Sequence, residues 1–131
     1  MGRPLTPGLD HTHDAGVRSW VPSAGRPGTD FPIQNLPLGV FRRSGEAGGS
    51  IGVAIGDEIL DLRRAAGSGA LGVLDPALFD ALSESSLNRL MALGREPAKA
   101  LRHAVHELLR DDASSRPAEL LVRAGDTVSR G

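Results

Sequence analysis

The side chains best placed for metal chemistry are two neighbouring histidines, His103 and His106, with Glu107 directly after the second. Helical zinc sites usually space their histidines four residues apart, as in HExxH, so that both imidazoles point at one ion. Here the spacing is three, and both histidines lie opposite the apolar stripe through Leu101 and Val105. We therefore expect them to lie on a solvated helix face rather than to bind a metal ion.

A second group of possible ligands, His11, His13 and Asp14, lies in a stretch rich in proline and glycine. Ordering such a stretch around an ion costs about 1–2 kcal/mol per residue in backbone entropy. We therefore expect no structured metal site in this part of the chain.

Carboxylates form two further clusters, and each has a structural explanation. Asp57, Glu58 and Asp61 surround a predicted hairpin, where turn and edge-strand positions favour acidic side chains. Asp111 and Asp112 follow a predicted helix, where a carboxylate is unfavourable next to the negative end of the helix dipole. That pair is typical of a linker that ends a helix, so neither cluster predicts acid–base catalysis.

The glycine-rich stretch SGEAGGS, residues 44–50, could be compared with a phosphate-binding loop. Such loops have the pattern GxGxxG or GxxxxGK[ST] and join a strand to a helix. This stretch joins two predicted strands, and the only lysine in the chain is Lys99. No serine stands in a GxSxG nucleophile elbow. The pattern favours a hairpin loop.

The composition of the 131 residues excludes several classes of protein. A net charge of −1 and four aromatic residues, none of them tyrosine, provide neither a basic field nor a stacking surface for nucleic acids. The absence of cysteine excludes disulfides and thiolate chemistry. No apolar run approaches the roughly 18 residues of a membrane helix, and no secretory signal is visible. We expect no membrane contact and, by default, a cytoplasmic location.

Three strands are predicted in the first half of the chain, over residues 38–43, 51–55 and 58–62. Gly56 and Asp57 separate the last two strands. A two-residue connection that begins with glycine predicts a hairpin with a turn of the primed type, because glycine adopts positive φ without steric cost.

The second strand alternates large and small side chains. Ile51, Val53 and Ile55 share one face, while Gly52 and Ala54 share the other. The period of two predicts that the β-branched residues face the core and that the opposite face is thin.

Three helices are predicted in the second half. Asp75 caps the first helix and Pro76 opens it. Ser85 or Ser86 caps the second helix, and Gly94 ends it in a left-handed conformation. The third helix covers residues 98–110. Their apolar stripes contain Leu78, Phe79, Leu82, Leu87, Leu90, Met91, Leu101, Val105, Leu108 and Leu109.

Four stretches resemble one family, in the order RSWVPSA (18–24), DFPIQNLPLGVF (30–41), IGVAIGDEILDL (51–62) and LNRLMALG (87–94). They are similar to the N-terminal domain of fumarylacetoacetase, the hydrolase that cleaves a carbon–carbon bond of 4-fumarylacetoacetate in tyrosine and phenylalanine catabolism. The resemblance covers residues 18–112.

The resemblance implies an α+β fold, a small Src-homology-3-like β-barrel with appended helices. It divides the chain into an irregular lead (1–29), the barrel with its helices (30–112), and a linker that leads into the start of a missing catalytic domain (113–131). For the full-length enzyme it also implies calcium and magnesium, a homodimer, and the catalytic domain as the partner of this one.

The chain departs from the family pattern after a predicted strand at 119–122. There the family continues with Gly-Asp-Tyr-Thr-Asp-Phe-Tyr, which contains a metal-binding aspartate, and later with the histidine that activates water. This chain reads RAGDTVSRG instead, with Thr127 and Val128 after Asp126 and no histidine beyond His106. We therefore predict no catalytic, cofactor-binding or metal-binding residue in this chain, and expect a truncated, frameshifted or split-gene product.

Two alternatives stay open. One is a free-standing barrel adaptor that binds a protein partner in a groove formed by the thin Gly52/Ala54 face and the turn-rich segment 30–37. The other is a small module that binds a metal through His103 and His106 or a nucleotide through the 44–50 loop.

Overall fold

The computed structural model describes residues 16–29, 31–43, 49–72, 74–84, 86–113, 116–123 and 127–130. The strands are β1 (Leu38–Arg43), β2 (Ser50–Ile55), β3 (Glu58–Asp61), β4 (Leu121–Arg123) and β5 (Thr127–Arg130). The helices are α1 (Leu62–Ser68), α2 (Pro76–Ala81), α3 (Asn88–Ala92) and α4 (Arg95–Leu109), with 3₁₀ turns at Pro22–Gly25 and Ala118–Leu120. The α+β class predicted from the sequence is confirmed.

The five strands form one antiparallel sheet in the order β4-β3-β2-β1-β5. The pairings within the described residues leave β4 and β5 at the two edges, so the coarse architecture is an antiparallel sheet with helices. None of the described helices is long and apolar enough to cross a membrane.

The predicted hairpin between β2 and β3 is confirmed. Gly56 has a φ of 59°, as the first central residue of a primed turn requires. Its amide donates to the Phe31 carbonyl at 2.7 Å, and the next amide, that of Asp57, donates to the Ser23 hydroxyl at 2.8 Å. The turn is therefore bonded to two other segments, 22–25 and 31–37.

The two faces of β2 correct one expectation. Ile51, Val53 and Ile55 are buried in the core, as predicted. The opposite face at Gly52 is not open, because a Cβ there would lie 2.9 Å from the Phe41 ring and 2.6 Å from Ile59 Cγ2. Large side chains on the neighbouring strands fill the space that glycine leaves, and the groove expected on this face is absent at Gly52.

Helix α4 begins at Arg95, earlier than the predicted 98, because Pro97 fits the first turn, where its missing amide would have had no intrahelical acceptor. As predicted, Gly94 directly follows the residue that caps the end of α3, Leu93, and has a positive φ, 93°. Its ψ of −169° lies outside the left-handed helical region, and the same residue directly precedes α4. Asp75, as predicted, caps α2 by accepting from the Ala77 amide at 2.9 Å.

Two apolar residues assigned to helix stripes point outward: Phe79 is 42% exposed and Met91 57% exposed. Both lie on helices of five or six residues, α2 and α3. So short a helix packs through one narrow face. On α2 this face consists of Leu78 and, one turn later, the capping residue Leu82, both of which are buried.

The described part of the N-terminal lead packs against the end of α4. The Trp20 indole nitrogen donates to the Leu108 carbonyl at 2.8 Å, and the Trp20 amide donates to the Leu109 carbonyl at 3.2 Å. These donors satisfy carbonyls that a helix end leaves without an intrahelical partner. Val21 and Ala24 then enter the hydrophobic core.

Candidate functional site

The predicted histidine pair is split between two environments. His103 is half-buried, whereas His106 is completely buried, so the prediction of a solvated face is wrong for His106. Helical periodicity assumes one buried face, but the segment at Ser19–Trp20 contacts the last turn of α4 as well, through the bridge from Ser19 to Arg110. Residues remote in sequence therefore contact α4, which its helical periodicity does not reveal.

The surroundings of the pair do not assemble a metal site. Within the described ranges, no group of three or more histidine, aspartate or glutamate residues lies close enough to hold an ion. Next to His106 lies the Glu107 carboxylate, whose Oε2 is 3.7 Å from His106 Nδ1 and 3.5 Å from an Arg110 nitrogen. The predicted group His11, His13 and Asp14 lies outside the described residues.

The hairpin carboxylates have separate structural roles. Asp57 is exposed and forms an ion pair with Arg26 at 2.9 Å. Asp61 is only 4% exposed and caps α1 by accepting from the Arg64 amide at 3.3 Å. The expected edge position is wrong for Glu58 and Asp61, since β3 lies between β2 and β4. The packing of α1 directly after β3, which the sequence pattern did not indicate, explains the buried capping carboxylate.

The carboxylates after α4 form an exposed ion-pair cluster. Arg110 donates to both carboxylate oxygens of Asp112, at 3.0 and 3.2 Å, and lies near Glu107. The pKa of the Arg110 guanidinium is raised above its usual value, mainly because of the negative charge of Asp112. Because the cluster is exposed, it contributes little to stability. α4 ends at Leu109, so the interpretation of Asp111 and Asp112 as helix-ending residues is confirmed.

The glycine-rich stretch joins β1 to β2, so its flanking elements are the two strands that the hairpin-loop interpretation requires. Residues 44–48 within it lie outside the described residues, as does Asp126.

One concave feature in the described part of the chain is a hollow of about 180 Å³ between the sheet and α4. Its lining residues are Leu36, Leu38, Val53, Ala98, Leu101, Arg102 and Val105. The charged one among them, Arg102, donates to the carbonyls of Gln34 at 2.6 Å and Asn35 at 3.0 Å. The lining contains no candidate general base or nucleophile.

The sequence could not reveal this hollow, because its walls come from three segments that lie far apart along the chain. Pockets that bind small organic ligands usually enclose about 300–1,000 Å³ with several convergent polar groups. The size and apolar lining of this hollow instead fit the docking of an apolar side chain.

Comparisons with known proteins agree on one family. The family model described as "Fumarylacetoacetase N-terminal" matches residues 34–128. The chain is 42% identical to the fumarylacetoacetase of Caenorhabditis elegans over 86 residues, which is 66% of this chain and 20% of that protein. It is 38% identical to the rat enzyme over 109 residues and 37% identical to the human enzyme over 107. Each of these two matches covers 76% of this chain and 25% of the relative. The chain thus spans between a fifth and a quarter of the length of these curated relatives.

Proposed function

The chain belongs to the fumarylacetoacetase N-terminal family, and on that basis we propose that it serves as the non-catalytic N-terminal domain of a fumarylacetoacetase. The observation that carries the proposal is the family match over residues 34–128, which includes every strand and helix from β1 to β4. The full enzyme would hydrolyse 4-fumarylacetoacetate to fumarate and acetoacetate in tyrosine and phenylalanine catabolism. We also propose, as the default, a cytoplasmic location.

The proposal assigns the chemistry to the rest of the enzyme. Hydrolysis of this carbon–carbon bond requires an activated water and a cation or a set of donors that stabilises the developing enolate. In the described residues the polar groups with defined partners serve the fold: Asp61 caps a helix, Arg102 holds a turn, and His106 fills the core. We propose that calcium and magnesium bind in the catalytic part and that the homodimer forms largely through it, as the family resemblance implies.

We also propose that the sheet curls into the Src-homology-3-like barrel that the family resemblance implies. The support is the strand order β4-β3-β2-β1-β5, in which the last strand returns beside the first. Curling brings the edges β4 and β5 toward each other, which reduces the exposure of unpaired backbone groups.

The test compares the isolated 131-residue chain with a chimera, in which this chain replaces the matched N-terminal fifth of the C. elegans relative. We expect the chimera to hydrolyse fumarylacetoacetate, measured as loss of the substrate's ultraviolet absorbance, and the chain alone to give only the background rate with or without calcium and magnesium. The chimera's catalytic region without this chain is the control.

Two results would contradict the proposal. One is turnover by the purified chain that scales with its concentration and persists after host enzyme has been excluded. The other is a soluble chimera without any hydrolase activity.

A further inference from the structure

The hollow between the sheet and α4 has a closed floor and an open rim. Leu36, Val53, Leu101 and Val105 are buried and form the floor, whereas Leu38, Ala98 and Arg102 are half-buried and form the rim. A volume of about 180 Å³ is similar to that of apolar cavities that accept a benzene ring. The space therefore suits one large apolar side chain that enters from outside.

The side chains that line the hollow favour an apolar occupant over an anionic one. The Arg102 guanidinium, the charged group at the rim, donates to the Gln34 and Asn35 carbonyls and so is held against the 31–37 segment. Every other lining side chain is aliphatic. An occupant therefore gains most by burying apolar surface against these side chains.

The strand register indicates where the occupant comes from. β5 runs antiparallel to β1, with Arg130 opposite Val40 and Ser129 opposite Phe41. The carboxyl end of β5 therefore points along β1 toward Leu38, which lies on the rim of the hollow. Three quarters of the length of the rat relative lies outside the match. In an enzyme of that length, the polypeptide that follows β5 starts beside this hollow.

We propose that the hollow is a docking site for one large apolar side chain of the catalytic part of the same enzyme. The proposal rests on the proposed function and adds the surface through which the domain contacts its partner. Docking would also fill the hollow, and an apolar cavity that stays empty lowers the stability of the protein around it.

The experiment fills the hollow from within this domain by the substitution Ala98→Phe at its rim. The matched control is Ala100→Phe, which adds the same side chain to an exposed position of α4 that does not line the hollow. Both variants are made in the isolated chain and in the chimera with the C. elegans catalytic part. Ala98→Leu, a smaller filler, is a second variant that keeps the test valid where phenylalanine prevents folding.

We expect Ala98→Phe to leave the melting temperature of the isolated chain unchanged or raised. In the chimera the same change should speed limited proteolysis between the two parts at least tenfold, while Ala100→Phe leaves it unchanged. An unchanged proteolysis rate for both hollow-filling variants would overturn the docking site while leaving the proposed function intact. A wild-type chimera without hydrolase activity would overturn both.

Discussion

Gly56 shows how a single residue couples local conformation to packing. Its φ of 59° lies in the left-handed region, where a side chain costs roughly 1–2 kcal/mol. It also lies against the 22–25 turn, since a Cβ at this position would overlap the Ser23 hydroxyl and lie 2.5 Å from the Ala24 amide nitrogen. The hairpin therefore requires glycine here for two separate reasons.

The substitution Gly56→Ala should lower the free energy of unfolding by about 2–5 kcal/mol, the sum of the conformational cost and of overpacking. Gly69→Ala is the control, because Gly69 has a φ of 81° but nothing within 4 Å of its added Cβ, so only the conformational cost remains. Urea denaturation followed by the fluorescence of Trp20, the one tryptophan, measures both. Equal losses for the two variants would contradict the close contact with Ser23.

At the scale of the elements, α4 is held by contacts with segments from the first third of the chain. The Arg102 guanidinium donates hydrogen bonds to two consecutive carbonyls, those of Gln34 and Asn35. At the carboxyl end of α4, the amide and the indole nitrogen of Trp20 donate to the last helix carbonyls. An arginine can reach both carbonyls at once because its guanidinium presents several donors in one plane.

The substitution Arg102→Lys should lower the free energy of unfolding by about 1–2 kcal/mol, because one ammonium group cannot reproduce both hydrogen bonds. Arg95→Lys, at an exposed position of the same helix, is the matched control and should change stability by less than about 0.5 kcal/mol. Thermal unfolding followed by circular dichroism gives both values. A loss at Arg95 as large as that at Arg102 would show that the effect comes from helix propensity.

At the scale of the whole molecule, the proposed barrel can be distinguished from a flat sheet by the separation of its edges. Four strand spacings of about 4.8 Å place β4 and β5 about 19 Å apart in a flat sheet. Only residues 124–126 join Arg123 to Thr127, and this connection reaches at most about 14 Å, so the sheet must curl. A closed barrel brings β4 and β5 within one strand spacing of each other. We expect nuclear Overhauser contacts between the main-chain protons of β4 and β5, and their absence alongside complete β1–β5 contacts would contradict the barrel.

Much of the local structure was predictable from the sequence. The three strands of the first half, the Gly56 turn and the Asp75 cap of α2 each depend on residues within a few positions of one another. The family itself was also recognisable from linear motifs. These features are determined by backbone sterics, capping and hydrophobic period, all of which act over short distances along the chain.

The tertiary structure alone decided which surfaces are covered. His106 is buried although its helical position predicted solvent, Phe41 and Ile59 fill the space beside Gly52, and the hollow forms where distant segments meet. The bond between Trp20 and Leu108 joins residues 88 positions apart, and no period of two or 3.6 residues contains that information. Burial depends on which segments meet in space, whereas a sequence pattern reports only which side of an element could be buried.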